Sequence, residues 1–319
     1  MDLADQPMMT AIKPAPANIM ILLDDSDSMT FEVLAADYNE GRFPNPAGDE
    51  QDGYSYIFEN AGDNAFLDDI RYMGQAGRKL WKSQSHTHNV LYYNPEIAYD
   101  PWPSYGNQDF LPADRKFPKL HPFKKNAGAM DLDGESFSVT LELEALPDAV
   151  LPVKNAHYFQ QTENGVIYLV VLDGDENKTN YFAITEVEGS GMTEKIRKVR
   201  SVTTPPGKIR VEEYGQARQN FANWFTYHRR REYVAKGAIA GVIQNLKGVR
   251  VGILSINGTI IVPLKPVSVW RDGIYYDETT ALLEALYACD AAGNTPLREG
   301  LHDVGNYYSS NSKNLTHYR

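Results

Sequence analysis

The sequence predicts an α/β protein: an open sheet flanked by helices, interrupted by a large, loop-rich, mostly β insertion. Three observations carry this expectation. Asn18–Leu23 is a continuous apolar run of strand length, the pattern of a strand covered on both faces in a parallel sheet, and Val249–Ile256 reads as a second buried-type strand. Helical periodicity surrounds the second run. Between them, residues 35–215 are rich in Pro, Gly, Asn, Asp and Tyr and lack helical spacing. The chain therefore divides into an irregular lead-in (1–17), a first strand with the loop after it (18–34), the insertion (35–215), and returning helices and strands (216–319).

The elements follow in order. The lead-in carries Pro7, Pro14 and Pro16 and no periodicity. The first strand runs straight into Asp24-Asp25-Ser26-Asp27-Ser28-Met29. Within the insertion, Phe137–Leu143 alternates like a strand, Gly165–Asp173 does so in part, and 173–187 reads as a hairpin with an Asn/Asp/Gly/Lys turn. From Arg218, Phe221, Trp224 and Phe225 share a helical face, continued by Val234, Ala235, Ala238, Ile239, Val242, Ile243 and Leu246. This spacing predicts one amphipathic helix of about eight turns, stopped at Lys247-Gly248. Thr280–Ala288 and Leu297–Tyr308 read as further helices, the second entered through Thr295-Pro296 with proline in the first turn. Strand, helix, strand, helix, helix suggests an open sheet whose ligands sit at the carboxyl ends of the strands, where Asp24–Ser28 is placed.

Composition excludes some functions. The net charge is −11, which argues against non-specific binding to nucleic acid or anionic lipid. The longest apolar stretch near the N-terminus, Ile19–Leu23, is far short of the roughly 20 residues of a membrane span, so no membrane insertion is expected. One cysteine, Cys289, permits no disulfide within the chain and reads as a small buried hydrophobe. No phosphate-binding glycine loop or dinucleotide fingerprint is present. His86-Thr-His88 lacks the third and fourth ligands of a zinc site and reads as an exposed loop. His228–Arg231 reads as a solvated helix face.

The chemistry concentrates at Asp24–Ser28. Asp24, Ser26 and Ser28 alternate, so one carboxylate and two hydroxyls can converge on one ion. All are hard oxygen donors, suited to Mg²⁺ first, with Mn²⁺ or Ca²⁺ as alternatives. The competing reading is a helix N-cap, a routine use of Asp and Ser. A second loop, Gly293-Asn294-Thr295-Pro296-Leu297, offers a further hydroxyl from Thr295; alone it reads as a loop ahead of a helix. Asp25 and Asp27 are additional acids.

These two motifs, in this order, resemble the metal-ion-dependent adhesion site of von Willebrand factor A (VWA) domains. The Asn89–Pro103 segment, NVLYYNPEIAYDPWP, is similar to one in the insertion of PilY-type tip adhesins of type IV pili. Asn220–Glu232 and Thr295–Leu301 also resemble that family. The resemblance covers both ends of the domain and the first part of the insertion; residues 110–210 align with nothing in the family. It implies a Rossmann-like VWA fold, with metal ligands Asp24, Ser26, Ser28 and Thr295. It implies a non-catalytic adhesion domain at the pilus tip or outer cell surface, secreted through the periplasm. Minor pilins and a host-cell or abiotic surface ligand are its implied partners, the latter binding through a carboxylate. Roles in pilus biogenesis, twitching motility and surface sensing follow from the same resemblance. The family's third motif, an Asp after a later strand, does not follow Thr295 before Arg319, and the last strands of the fold are expected to be missing. Asp173-Gly174 imitates that motif but precedes Thr295, and reads as a turn of the insertion.

Alternatives stand beside this reading. Leu91, Tyr92, Tyr93, Tyr99 and Trp102 form a rigid, proline-rich segment that either covers the core or exposes an adhesive patch, with Tyr92, Tyr93, Tyr99 and Trp102 binding a partner. Asp25-x-Asp27 after an apolar strand also fits the nucleophile motif of haloacid-dehalogenase-type phosphatases, with Mg²⁺ nearby. That reading expects Thr or Val where Met29 stands and explains neither Ser26 and Ser28 nor Gly293–Leu297. A structural VWA domain with a degenerate metal site is the third possibility.

Overall fold

A computed structural model describes residues 15–35, 41–46, 53–58, 72–124, 126–203 and 213–310. Most of the lead-in, with Pro7 and Pro14, lies outside the described residues. The protein is mixed α/β and forms two compact units. One comprises 1–24, 242–289 and 295–319; the other comprises 25–241 and 290–294.

In the first unit, β1 (Ala17–Leu23) runs parallel to β8 (Val249–Ser255), in register from Ala17 opposite Val249 to Leu23 opposite Ser255. On the other side of β8, β9 (Ile260–Val267) runs antiparallel. The order β1-β8-β9 leaves β8 in the centre, buried from Val251 to Ser255. Among the described residues β1 is an edge strand, so only Leu23 is buried; the expected cover on both faces is absent from its first half. Helix α3 (Thr279–Ala288) packs on β8 and β9, and α4 (Leu297–Ser310) on β1 and β8. Gly300 lets α4 approach closely: a Cβ there would lie 3.0 Å from the Ile256 Cα. Strand β9 was not expected, because Pro263 and Pro266 interrupt it. The Asn257-Gly258 turn between two apolar runs was the signal that announced it. A short hairpin, β10 (Val269–Arg271) and β11 (Ile274–Tyr276), turns through Asp272 and Gly273, both at positive φ, and leaves Trp270 70% exposed.

The second unit holds a six-stranded sheet in the order β3-β2-β7-β6-β5-β4. Its strands are β2 (Glu135–Leu141), β3 (Ala149–Lys154), β4 (His157–Gln161), β5 (Ile167–Asp173), β6 (Lys178–Glu188) and β7 (Lys195–Val202). The expected β2 and β5 are present; the hairpin expected within 173–187 is instead formed by β5 and β6 across a turn at 174–177, with 178–188 a single strand. Both faces of β5 are covered: Leu169 and Val171 join one apolar cluster, Val170 and Leu172 the other. Alternate side chains point to opposite faces, so burial of both faces produces the unbroken apolar run of the sequence.

The single helix expected from 218 to 246 is two: α1 (Tyr214–Tyr227) and α2 (Arg231–Asn245). Tertiary partners break it. The Trp102 indole N–H donates to Tyr227 O at 2.9 Å and Tyr233 O at 3.1 Å. Arg231 N–H donates to Phe31 O instead of a helix carbonyl. The buried positions of α2 are Glu232, Tyr233, Lys236, Ala240 and Ile243, whereas Val234 and Val242 are exposed. The apolar face expected from spacing is thus rotated, because α2 buries an ionic cluster. His228–Arg231 is not a solvated face: Arg229 and Arg230 are buried against Glu32, and Arg231 donates to Val33 O. Cys289, at the end of α3, is half-buried rather than buried.

Candidate metal centre

The loop after β1 begins with half-buried Asp24, the last residue of the first unit's N-terminal segment. The residues that follow form a 3-10 turn over Asp27–Thr30, with Met29 N–H donating to Ser26 O and Phe31 N–H to Ser28 O. Ser26 occupies the N-cap position but makes no side-chain capping bond. Its hydroxyl lies 3.3 Å from that of Ser28, and Ser26 is 1% exposed.

A second segment, 290–294, is joined to this loop within the same unit. Asp27 N–H donates to Gly293 O at 3.1 Å, Gly293 N–H donates to Asp27 Oδ1 at 2.6 Å, and Ala292 N–H donates to Asp25 O at 2.6 Å. Gly293 has φ 115°, a conformation that side-chain-bearing residues rarely adopt. These bonds join the two loops singled out in the sequence, 266 residues apart from Asp27 to Gly293. Asp27, left without an orientation by sequence reasoning, spends one carboxylate oxygen on this contact. Thr295 belongs to the first unit and opens α4, its carbonyl accepting from Leu297 N–H.

The donor set can be tested against an ion. Mg²⁺ holds oxygens at about 2.0–2.1 Å and Ca²⁺ at about 2.3–2.6 Å, which places neighbouring octahedral ligands roughly 2.8–3.0 Å apart around Mg²⁺ and roughly 3.3–3.7 Å apart around Ca²⁺. The Ser26–Ser28 separation of 3.3 Å, a hydrogen-bond distance, matches the Ca²⁺ spacing and would close by about 0.3 Å on Mg²⁺. No group of three or more His, Cys, Asp or Glu side chains suited to a metal occurs among the described residues. A site of one carboxylate and several hydroxyls is of a different kind.

The remaining candidates separate clearly. Tyr92 and Tyr93 are fully buried, Trp102 is 2% exposed, and Tyr99 is half-buried. Tyr93 packs on Tyr99, Tyr158, Phe221 and Trp224, and the Tyr92 hydroxyl donates to His157 O. Tyr99 takes the Asn94 N–H on its hydroxyl. Tyr92, Tyr93 and Trp102 therefore offer no ring surface to a partner; they cover the core. Asp173 ends β5 and Gly174 opens the β5–β6 turn, with Asp173 Oδ1 accepting from Asp175 and Glu176 N–H. His88 stands edge-on to Trp81 with its Nδ1 2.9 Å from the Thr87 hydroxyl, and burial holds the pKa values of His86 and His88 below the usual range.

Sequence reasoning missed a buried ionic cluster beside the loop. Glu32 Oε1 lies 2.9 Å from Arg229 Nε and 3.8 Å from Arg230 Nε, while its Oε2 accepts from Ile57 and Phe58 N–H. Arg230 also faces Glu232, which pairs with Lys236. The run Arg229-Arg230-Arg231 after an aromatic helix face was the available signal. Among the described residues no helix is long and apolar enough to cross a membrane. No protein-family model, curated protein or solved structure matches this chain.

Proposed function

We propose that the chain is a metal-dependent, non-catalytic partner-binding domain of the VWA type, from a PilY-type adhesin of the type IV pilus tip. The observation that carries the reading is the joining of loop 25–28 to loop 290–294 by three backbone-centred hydrogen bonds. These bonds hold Asp25 and Asp27, the residues beside Ser26, to Ala292 and Gly293 of a segment remote in sequence. The 3.3 Å hydroxyl pair and the absence of a capping bond from Ser26 support ligation over helix capping. In this reading Ser26 and Ser28 hold a divalent cation, Mg²⁺ first. The motif resemblance names Asp24 and Thr295 as the further ligands. The cation keeps an open position, which a partner's carboxylate fills; no covalent chemistry is required. Minor pilins and a surface ligand are the proposed partners, and the pilus tip outside the cell the proposed location.

The test is calorimetric titration of Mg²⁺, Mn²⁺ and Ca²⁺ into chelator-treated protein, beside an Asp24→Ala/Ser26→Ala variant. Saturable binding lost in the variant supports the reading. An intact chain that binds none of the three ions overturns it.

A further inference from the structure

We infer that Tyr56, acting through Thr30, is a positioning residue that sets the geometry of the Ser26–Ser28 hydroxyl pair. The inference rests on the metal-site reading for its effect on cation affinity, but the contact itself is independent of that reading. The Thr30 hydroxyl has one proton, and it donates it to Asp27 O at 2.8 Å. The Tyr56 hydroxyl lies 2.5 Å from Thr30 Oγ1. With the threonine proton committed, Tyr56 must be the donor. A directed chain results: Tyr56 O–H to Thr30 O–H to the Asp27 carbonyl, each bond polarising the next.

Asp27 is the residue between the two serines. Gly293 already holds its N–H and its carboxylate; Thr30 holds its carbonyl. Together these contacts constrain the turn that spaces Ser26 from Ser28. Tyr56 is itself clamped. It is 8% exposed, its ring stands edge-on to Phe31 at 5.9 Å, and the Arg230 guanidinium lies 5.9 Å from the ring centre. Its carbonyl accepts from Met73 N–H, and the residues on either side bond to Glu32. The Tyr56 phenol thus connects the insertion to this turn.

The experiment compares Tyr56→Phe, Thr30→Val and Thr30→Ser in the full chain. Amide exchange at Met29 and Phe31 reads the turn, exchange across β5 reads global stability, and Mg²⁺ titration reads the consequence. Tyr56→Phe and Thr30→Val are expected to speed exchange at Met29 and Phe31 about tenfold relative to β5, as the loss of one buried hydrogen bond predicts. They are expected to weaken Mg²⁺ at least about tenfold, the usual effect of removing a group that orients metal ligands. Thr30→Ser, which keeps the hydroxyl, restores both. Unchanged exchange at Met29 and Phe31, or a Thr30→Ser variant that behaves like Thr30→Val, overturns the inference. If the intact chain binds no Mg²⁺ while Tyr56→Phe still loosens the turn, the positioning role stands and the metal reading falls.

Discussion

Replacing Glu32 by Gln removes one charge from a cluster that solvent does not reach. Glu32 is 1% exposed, Arg229 0% and Arg230 2%. In the intact protein Arg229, Arg230 and Lys236 face Glu32 and Glu232; after the change three cations face one carboxylate. The amide oxygen of Gln can still accept from Ile57 and Phe58 N–H. Its amide nitrogen then meets the Arg229 guanidinium, donor against donor. Breaking one side of a buried pair costs about 3–5 kcal/mol, mostly from the charge left behind. Retention of the two backbone bonds places the expected loss near the lower bound, about 3 kcal/mol. Against a typical stability of about 5–15 kcal/mol this is a large fraction. Urea unfolding followed by tryptophan fluorescence reads it, because Trp81, Trp102 and Trp224 all lie in the unit that holds the cluster. The companion variant Glu32→Gln/Arg229→Met removes the stranded charge and is expected to recover at least about 1 kcal/mol, because the two sites are directly coupled. A Glu32→Gln loss below about 1 kcal/mol, at unchanged denaturant slope, would refute the reasoning. It would mean that water enters the cluster and solvates the guanidinium pair.

Three further outcomes are expected. Burial lowers the pKa of His121 to about 2 and that of His157 to about 3, and His86, His88 and His228 shift in the same direction. Below an unfolded value near 6.5 the unfolded chain binds the protons, so stability is full above that value and is lost as pH falls. His121 and His157 each remove about 2 kcal/mol between pH 7 and 5, which urea midpoints across that range will register. Gly174→Ala places a Cβ 2.3 Å from Asp133 Oδ1, the atom that Arg218 Nη2 contacts at 2.7 Å. Displacing that carboxylate is expected to cost about 1–3 kcal/mol by thermal or urea unfolding, and no measurable loss would show that the turn shifts freely. Gly293→Ala forces a side chain onto φ 115°, a strain of about 1–3 kcal/mol. It is expected to accelerate amide exchange at Asp27, whose N–H the Gly293 carbonyl holds; unchanged exchange there would argue against the joined loops.

The elements that depend on local pattern were legible in the sequence. The two strand-length segments became parallel partners β1 and β8, as the strand–helix–strand order suggested. The α4 start followed from Thr295-Pro296, and the β5–β6 turn from its Asp, Gly and Asn. The loop with Ser26 and Ser28 was legible as a set of oxygen donors on alternate residues.

What the sequence could not decide was set by partners far along the chain. Spacing alone made 218–246 one helix; the Trp102 indole and the Phe31 carbonyl divided it, because they compete for the same backbone groups that would continue it. Charge alone put Arg229 and Arg230 in water; Glu32, 197 residues from Arg229, made their burial tolerable by supplying the opposite charge. Aromatic content alone left Tyr92, Tyr93 and Trp102 open to two roles, and packing against α1 and the sheet used them as core. Sequence by itself determined the residue types that could hold an ion and the strands that could present them. Only the tertiary structure brought 290–294 to 25–28, because hydrogen bonds between remote segments depend on where the whole chain returns and leave no local trace.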